Sequence, residues 1–253
     1  MSRLNSVFEW QSWFNRWEAM QSCYIPYRLN RFDLMINQIN FTRESKVYVL
    51  DLGSGPGSLA YRVLKHYPNA HIVAVELNPI LIKIGEAIRG ENDHIQFLSV
   101  DIRERSWWAR YQDTFDLVVS ATALHWMNAT HMEETYRQVF DVLKSGAWFL
   151  NSDHISADSP AEQKRYRQIL KTEQEAIFRK TSADDWNSYW KRVNRELVEK
   201  SLGSLLSETE SWEGDDDGLP RQFHIEALER CGFKQVLLLW QYLGEAVIGA
   251  RKP

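Results

Sequence analysis

Residues 49–58 read Val-Leu-Asp-Leu-Gly-Ser-Gly-Pro-Gly-Ser, an apolar run that ends in glycines at alternate positions, Gly53, Gly55 and Gly57, with Asp51 just ahead of them. Glycine lets a backbone turn tightly and lets a ligand approach with no Cβ in the way. A helix starting directly after such a turn offers free N–H groups to a nucleotide or an anion. A nucleotide-like ligand at the end of a first strand is therefore expected. Two later apolar runs also end in an acid, Val73-Ala74-Val75-Glu76 and Phe97-Leu98-Ser99-Val100-Asp101. An ionised carboxylate is an acceptor only, so one of them can take two donors of the same ligand. A fourth run, 115–120, leads into Ala121-Thr122-Ala123-Leu124-His125-Trp126-Met127. Histidine ordinarily changes charge near neutral pH. His125 is thus the catalytic candidate, as a base or an acceptor-orienting group, and is equally readable as a structural histidine of that loop.

These residues need a frame. Short β-branched runs predict strands over 46–52, 71–75, 95–100, 115–120 and 147–151, alternating with amphipathic helices over 58–66, 79–89, 104–111 and 132–143. That alternation predicts a parallel, doubly wound α/β sheet. A helix at 221–230 and strands at 233–241 and 245–250 follow; the last two lie too close in sequence for a parallel crossover, so they must be antiparallel neighbours. Ahead of the sheet, Trp10, Trp13, Phe14, Trp17 and Met20 recur at the helical period, Pro26 interrupts, and a second helix ends near Phe41. Residues 155–219 break the alternation and predict an inserted pair of helices, 160–179 and 183–202. The run Asp215-Asp216-Asp217 between glycines reads as a solvated linker without a ligand. Four segments result: a helical lid (1–45), an α/β core (46–154), a helical insertion (155–219) and a completion of the sheet (220–253).

Composition narrows the classes. With 253 residues, 44% hydrophobic and 25% charged, the chain is globular, not disordered, collagen-like or coiled coil. A net charge of −4 gives no electrostatic reason to expect nucleic acid. Cys23 and Cys231 are the two cysteines, too few for a disulfide framework or a four-cysteine zinc site, and they favour a reducing, cytoplasmic setting. The first residues carry no secretory apolar core, and no run is long and apolar enough to span a membrane. Eleven tryptophans exceed what a core of this size needs and suggest an aromatic-lined cavity.

Two ligand families use such glycine turns. The dinucleotide fingerprint would place its third glycine at 58, which is Ser58, and asks for no acid before the first glycine. The pattern Asp51-x-Gly53-x-Gly55-x-Gly57 instead resembles motif I of the class I S-adenosylmethionine-dependent methyltransferases. The strand-ending acids and the fourth-strand run resemble that family's later motifs, in order. The likeness spans about residues 46–152 and 221–253, where the paired last strands resemble the family's terminal hairpin. The Ala-Leu-His-Trp-Met run looks most like the subset containing trans-aconitate, malonyl-carrier-protein and small-molecule natural-product methyltransferases.

The resemblance implies a Rossmann-like, seven-stranded, mostly parallel sheet. It implies S-adenosylmethionine as cofactor and S-adenosylhomocysteine as product. His131, Asp153 and His154 could complete a metal site with His125, but their spacing matches no zinc or magnesium pattern, so no metal is expected. The resemblance puts cofactor contacts at Asp51, Gly53, Ser54, Gly55, Gly57, Glu76 (ribose), Leu77, Asp101 (adenine), Ile102 and Ser120. Asp51 can serve the loop's own amides instead of the ligand, and Arg28 or Arg31 is expected on the methionyl carboxylate. Trp17, Tyr24, Tyr27, Trp126, His154, Trp186 and Trp190 are expected around a small organic acceptor. The aromatic helices can equally be core packing. A small-molecule methyltransferase of specialised metabolism, with neither nucleic acid nor membrane as partner, is the resulting expectation; an idle cofactor-binding subunit or an RNA methyltransferase is the alternative.

Overall fold

The computed structural model describes residues 8–206, 214 and 216–253. Strand β1 (Tyr48–Leu52) lies between β2 (His71–Glu76) and β4 (Phe115–Ala121), parallel to both, and β2 pairs in parallel with β3 (Ile95–Ser99). On the other side β5 (Leu143–His154) runs parallel to β4, then β7 (Glu245–Arg251) and the edge strand β6 (Gln235–Tyr242) close the sheet antiparallel. The order β3-β2-β1-β4-β5-β7-β6 is the expected seven-stranded, mostly parallel sheet with its terminal hairpin.

Burial on both faces explains the near-continuous apolar strands. In β1, Leu50 and Leu52 pack with α5 (Ala129–Val142) and α8 (Arg221–Arg230), through Met132, Tyr136, Ala227 and Leu228. Val49 packs on the opposite face with α2 (Arg28–Ile36) and α3 (Ser58–His66), through Phe32, Met35, Leu59 and Val63. A third core lies outside the sheet. Trp13, Trp17 and Met20 of α1 (Trp10–Tyr24), Ile80, Leu81 and Ile84 of α4 (Pro79–Arg89), and Tyr189, Val193 and Leu197 of α7 (Trp186–Glu199) form it. The N-terminal helix and the insertion thus share one apolar layer against α4. Helix α6 (Pro160–Thr181) completes the insertion and buries no side chain fully.

Three elements differ from the sequence expectation. The segment 104–111 is a 3-10 helix, Arg105–Tyr111. Trp107 and Trp108 are both buried there, stacked 4.1 Å apart, and successive positions of an α-helix do not share one face. Strand β5 runs well past 147–151, because its end carries Ser152, Asp153 and His154, polar residues that give no apolar signal yet pair with β7. Helix α5 starts at Ala129, where the Asn128 side chain accepts the His131 N–H at 2.9 Å.

Helix α4 approaches the glycine loop through Gly85. A Cβ on Gly85 would stand 2.3 Å from Phe97 Cζ and 2.9 Å from the Pro56 carbonyl oxygen. Alanine gains up to about 1 kcal/mol of helix propensity, but overpacking against a backbone atom costs about 1–3 kcal/mol. Gly85→Ala should therefore lower the urea midpoint; a raised midpoint would contradict this close approach.

Candidate functional site

The loop from β1 to α3 turns through three left-handed glycines, with φ of +65° at Gly53, +55° at Gly55 and +88° at Gly57. A side chain at 53 would overlap the Ala123 Cβ at 2.3 Å, so Gly53 is what lets the β4 loop close against the glycine loop. Ile102 stands beside the same point. Gly57 is the N-cap of α3 and has no side chain to cap it; the Ala60 amide goes to Asp51, so the Ser58 and Leu59 N–H groups are those left at that end for a ligand. Ser54 anchors the turn by donating its N–H to the Val75 carbonyl at 2.9 Å.

The acids have partners that spacing alone did not disclose. Glu76 accepts the N–H of Gly55 at 2.8 Å, of Leu77 at 2.9 Å and of Asn78 at 2.8 Å, so it ties the glycine loop to the start of α4. Burial pushes the Glu76 carboxyl up, against the pull of those three amides. Asp101 is gripped by Arg103, whose backbone N–H, Nε and Nη2 all donate to it. Burial opposes ionisation there, but the guanidinium outweighs it and holds Asp101 below the usual range. Asp51 lies under the loop, 1% exposed, and its Oδ2 has no partner. Burial pushes its carboxyl up to about 7, partly offset by the Ala60 amide. Ser120 spends its hydroxyl on the Leu52 carbonyl at 2.9 Å and is fully buried, which makes it a pin between β4 and β1.

A second polar centre sits where β4 and β5 end. His125 donates its backbone N–H to Asp153 Oδ2 at 2.9 Å, and its Nδ1 stands 2.7 Å from Oδ1. A carboxylate only accepts, so the His125 proton lies on Nδ1 and the Nε2 lone pair is left for an acceptor. Burial works against the Asp153 charge, yet His125 and His154 outweigh it and bring the carboxyl down to about 2. The His154 ring stacks on His125, 4.4 Å away and 5° from parallel, and the Trp126 ring lies 4.6 Å from it. His154 also donates from Nδ1 to the Asp216 carbonyl at 2.6 Å. The acidic run is therefore not a free linker where it is described. Gly214 donates to the Trp126 carbonyl at 2.6 Å, and Asp217 takes Gln163 and Arg167 of α6. Asp215 and residues 207–213 lie outside the described residues.

The aromatic residues divide. Trp17 covers the glycine loop, its ring 3.5 Å from where a Gly55 side chain would begin. Trp186, Tyr189 and Trp190 pack on Trp17 at 6.0, 5.6 and 6.2 Å between ring centroids, with Tyr189 fully buried and Trp186 44% exposed. Tyr24 joins α1 to the insertion, its hydroxyl accepting the Trp186 N–H at 3.0 Å. Tyr27 departs from the expected pocket: 57% exposed, it packs edge-on against Trp240 and Tyr242 of the last hairpin. The two arginines separate as well. Arg31 donates to Ser152 at 2.7 Å and Glu245 at 2.5 Å, at the β5–β7 end of the sheet and away from the glycine loop. Arg28 donates twice to Glu18, at 2.8 and 2.9 Å, and Glu18 accepts the Ser58 hydroxyl. Glu18 and Arg103 carried no signal in the sequence as partners of site residues; Asp153 was legible there only as a possible metal ligand beside His125, whereas it is the hydrogen-bond partner of that histidine.

The three left-handed glycines at the start of α3, the strand-end carboxylate Glu76 and the orphaned Asp51 oxygen fit a nucleoside carrying a charged tail. Among the described residues, no group of three or more His, Cys, Asp or Glu could hold a metal ion.

Residues 49–146 match the family described as "Methyltransferase domain". The chain is 25% identical over 118 residues to malonyl-[acyl-carrier protein] O-methyltransferase of Acetivibrio thermocellus, covering 47% of this chain and 40% of that one. It is 29% identical over 153 residues to trans-aconitate 2-methyltransferase of Mycobacterium tuberculosis, covering 57% and 54%. The chain thus spans about half the length of these curated relatives. Human N-acetylserotonin methyltransferase, solved in complex with S-adenosylmethionine, shares the fold with a TM-score of 0.56 at 16% identity, over 96% of this chain and 57% of that one. Residues 49–146 thus match a methyltransferase domain, and the sheet order carries the fold of the solved neighbour.

Asp51 yields a pH test. Its folded pKa of about 7 stands above the reference value of 3.8, so the stability it contributes is full below the lower value and is lost as pH rises toward the upper one. Asp51→Asn should therefore raise Tm relative to the parent protein at about pH 8 and much less at about pH 5. An equal change at both would contradict a buried, proton-holding Asp51.

Proposed function

We propose that this chain, whose core matches a methyltransferase domain, transfers a methyl group from S-adenosylmethionine to a small organic acceptor and releases S-adenosylhomocysteine. One observation carries the reading: Glu76 joins the left-handed glycine loop to the neighbouring loop beside the start of α3, on the carboxyl edge of the sheet. The cofactor supplies an electrophilic methyl group on a sulfonium that leaves as a neutral thioether. Transfer from such a centre depends chiefly on proximity, alignment and exclusion of water.

The chain's residues divide that work. Glu76 has acceptor capacity beyond its three amides and takes ribose hydroxyls. Asp101 and Ile102 border the base, with Arg103 fixing the orientation of the Asp101 carboxylate. Gly53 offers its bare backbone to the nucleoside, Ser54, Gly55 and Leu77 hold the loop's shape through Val75 and Glu76, and Asp51 braces the loop from beneath. Trp17, Trp186 and Trp190 cover the loop and keep water out, so α1 and α7 act together as a cover. His125, with its proton on Nδ1 through Asp153, presents Nε2 as the base for a hydroxyl or amine acceptor, with Trp126 and His154 beside it.

A small acceptor, rather than nucleic acid or a membrane, is supported by the net charge of −4 and by the aromatic rings of Trp126 and His154 packed around the buried His125. No described helix is long and apolar enough to cross a membrane. The free cysteines Cys23 and Cys231 suit a cytoplasmic setting, and the Ala-Leu-His-Trp-Met run suits specialised metabolism.

The reaction is tested by incubating the full chain with S-adenosylmethionine and pooled metabolite classes. S-adenosylhomocysteine release should track one pool, with the added methyl located on its product by mass spectrometry; no release from any pool would contradict the reading. On the acceptor so found, His125→Gln should lower kcat by about 10²–10⁴, while S-adenosylhomocysteine affinity changes by less than about threefold. Unchanged turnover would leave His125 structural. Glu76→Gln should weaken S-adenosylhomocysteine by about 1.5–3 kcal/mol, read by calorimetry, and unaltered affinity would move the ribose contact elsewhere.

A further inference from the structure

We propose that Glu18 and Arg28 form a preassembled ion pair that opens to bind the amino-acid end of the cofactor, Glu18 taking its α-ammonium and Arg28 its α-carboxylate. This deepens the cofactor reading above and rests on it. Glu18 follows Trp17, the ring that covers Gly55, and accepts a hydrogen bond from Ser58, the first residue of helix α3. Arg28 meets the same carboxylate through both terminal nitrogens, at 2.8 and 2.9 Å. The Arg28 side chain is 5% exposed and that of Glu18 29%, so the acid is the member within reach of a ligand.

The chemistry of the ligand matches the pair. The amino-acid end is a zwitterion: its ammonium has donors only and its carboxylate acceptors only. Removing either charge from water into a cleft is costly unless an opposite charge receives it. When the Glu18–Arg28 bridge is exchanged for two bridges to the zwitterion, charge in the cleft stays balanced and neither side chain is left unpaired. Arginine also suits a carboxylate by its two-pronged geometry. The other charged candidates sit elsewhere: Arg31 at the β5–β7 end of the sheet on Ser152 and Glu245, with its Nη2 unpartnered there, and Asp51 in the interior beneath the loop.

Calorimetry on the full chain with two probes tests this, S-adenosylhomocysteine and 5′-methylthioadenosine, the same thioether nucleoside without the amino-acid end. Glu18→Gln should weaken S-adenosylhomocysteine by about tenfold to a hundredfold, as for a hydrogen bond to a charged group, and leave methylthioadenosine within about twofold. Equal weakening of both probes would make Glu18 a scaffold of the loop, and unchanged or tighter S-adenosylhomocysteine binding would remove it from the site; either result overturns the proposal. A measurement on the parent protein needs no variant to fold: the analogue of S-adenosylhomocysteine lacking the amino group should bind at least about tenfold more weakly, and equal affinity would overturn the ammonium contact. A parent protein that binds neither probe refutes the cofactor reading itself, an outcome distinct from a selective failure at Glu18.

Discussion

Three backbone N–H groups from two different loops converge on one carboxylate, that of Glu76. The placement of the glycine loop depends on this junction. Gly55 reaches it across a loop that is left-handed at three positions, Leu77 and Asn78 reach it as the residues directly after Glu76, and Gly85 lets α4 close on Pro56 and Phe97. Three charge-assisted bonds offset part of the cost of burying the acid, although burial still shifts it toward its neutral form. A carboxylate offers about four lone-pair sites, so the group that holds the loops together still has capacity for a ligand.

Around that junction the sheet separates two kinds of chemistry by strand parity. Along the end of β5, Asp153 serves His125, while Ser152 serves Arg31 with Glu245. Successive strand residues point to opposite faces, so one short polar stretch supplies both a histidine-orienting acid and a brace for α2. The aromatic layer ties these centres to the surface elements. Trp17 touches the glycine loop below and the insertion above, so helices distant in sequence are coupled through one indole. Movement of α7 would be felt at Gly55.

Much of the frame was legible in the sequence, because parallel strands buried on both faces must be apolar and their crossovers must be amphipathic. The glycine loop and the strand-ending acids stood out because their residue types are costly elsewhere. The partners were hidden for a physical reason: a carboxylate that binds backbone amides, as Glu76 does, leaves no mark in the identity of its partners. Long-range side-chain pairs were equally silent, such as Asp153 with His125 and Arg31 with Glu245. Tyr27 looked like a pocket residue by type, yet its left-handed backbone and contact with the last hairpin set it outside. The acidic run looked solvated because three aspartates repel, but Arg167 and Gln163 of α6 draw Asp217 in.

The central claim is that the Glu76-bound glycine loop is a site for S-adenosylmethionine rather than for a dinucleotide. It is tested most directly by calorimetric titration of the full chain with S-adenosylhomocysteine and, separately, with NADH. The account predicts saturable one-to-one binding of S-adenosylhomocysteine and no heat of binding with NADH. Tight binding of NADH with none of S-adenosylhomocysteine would contradict it.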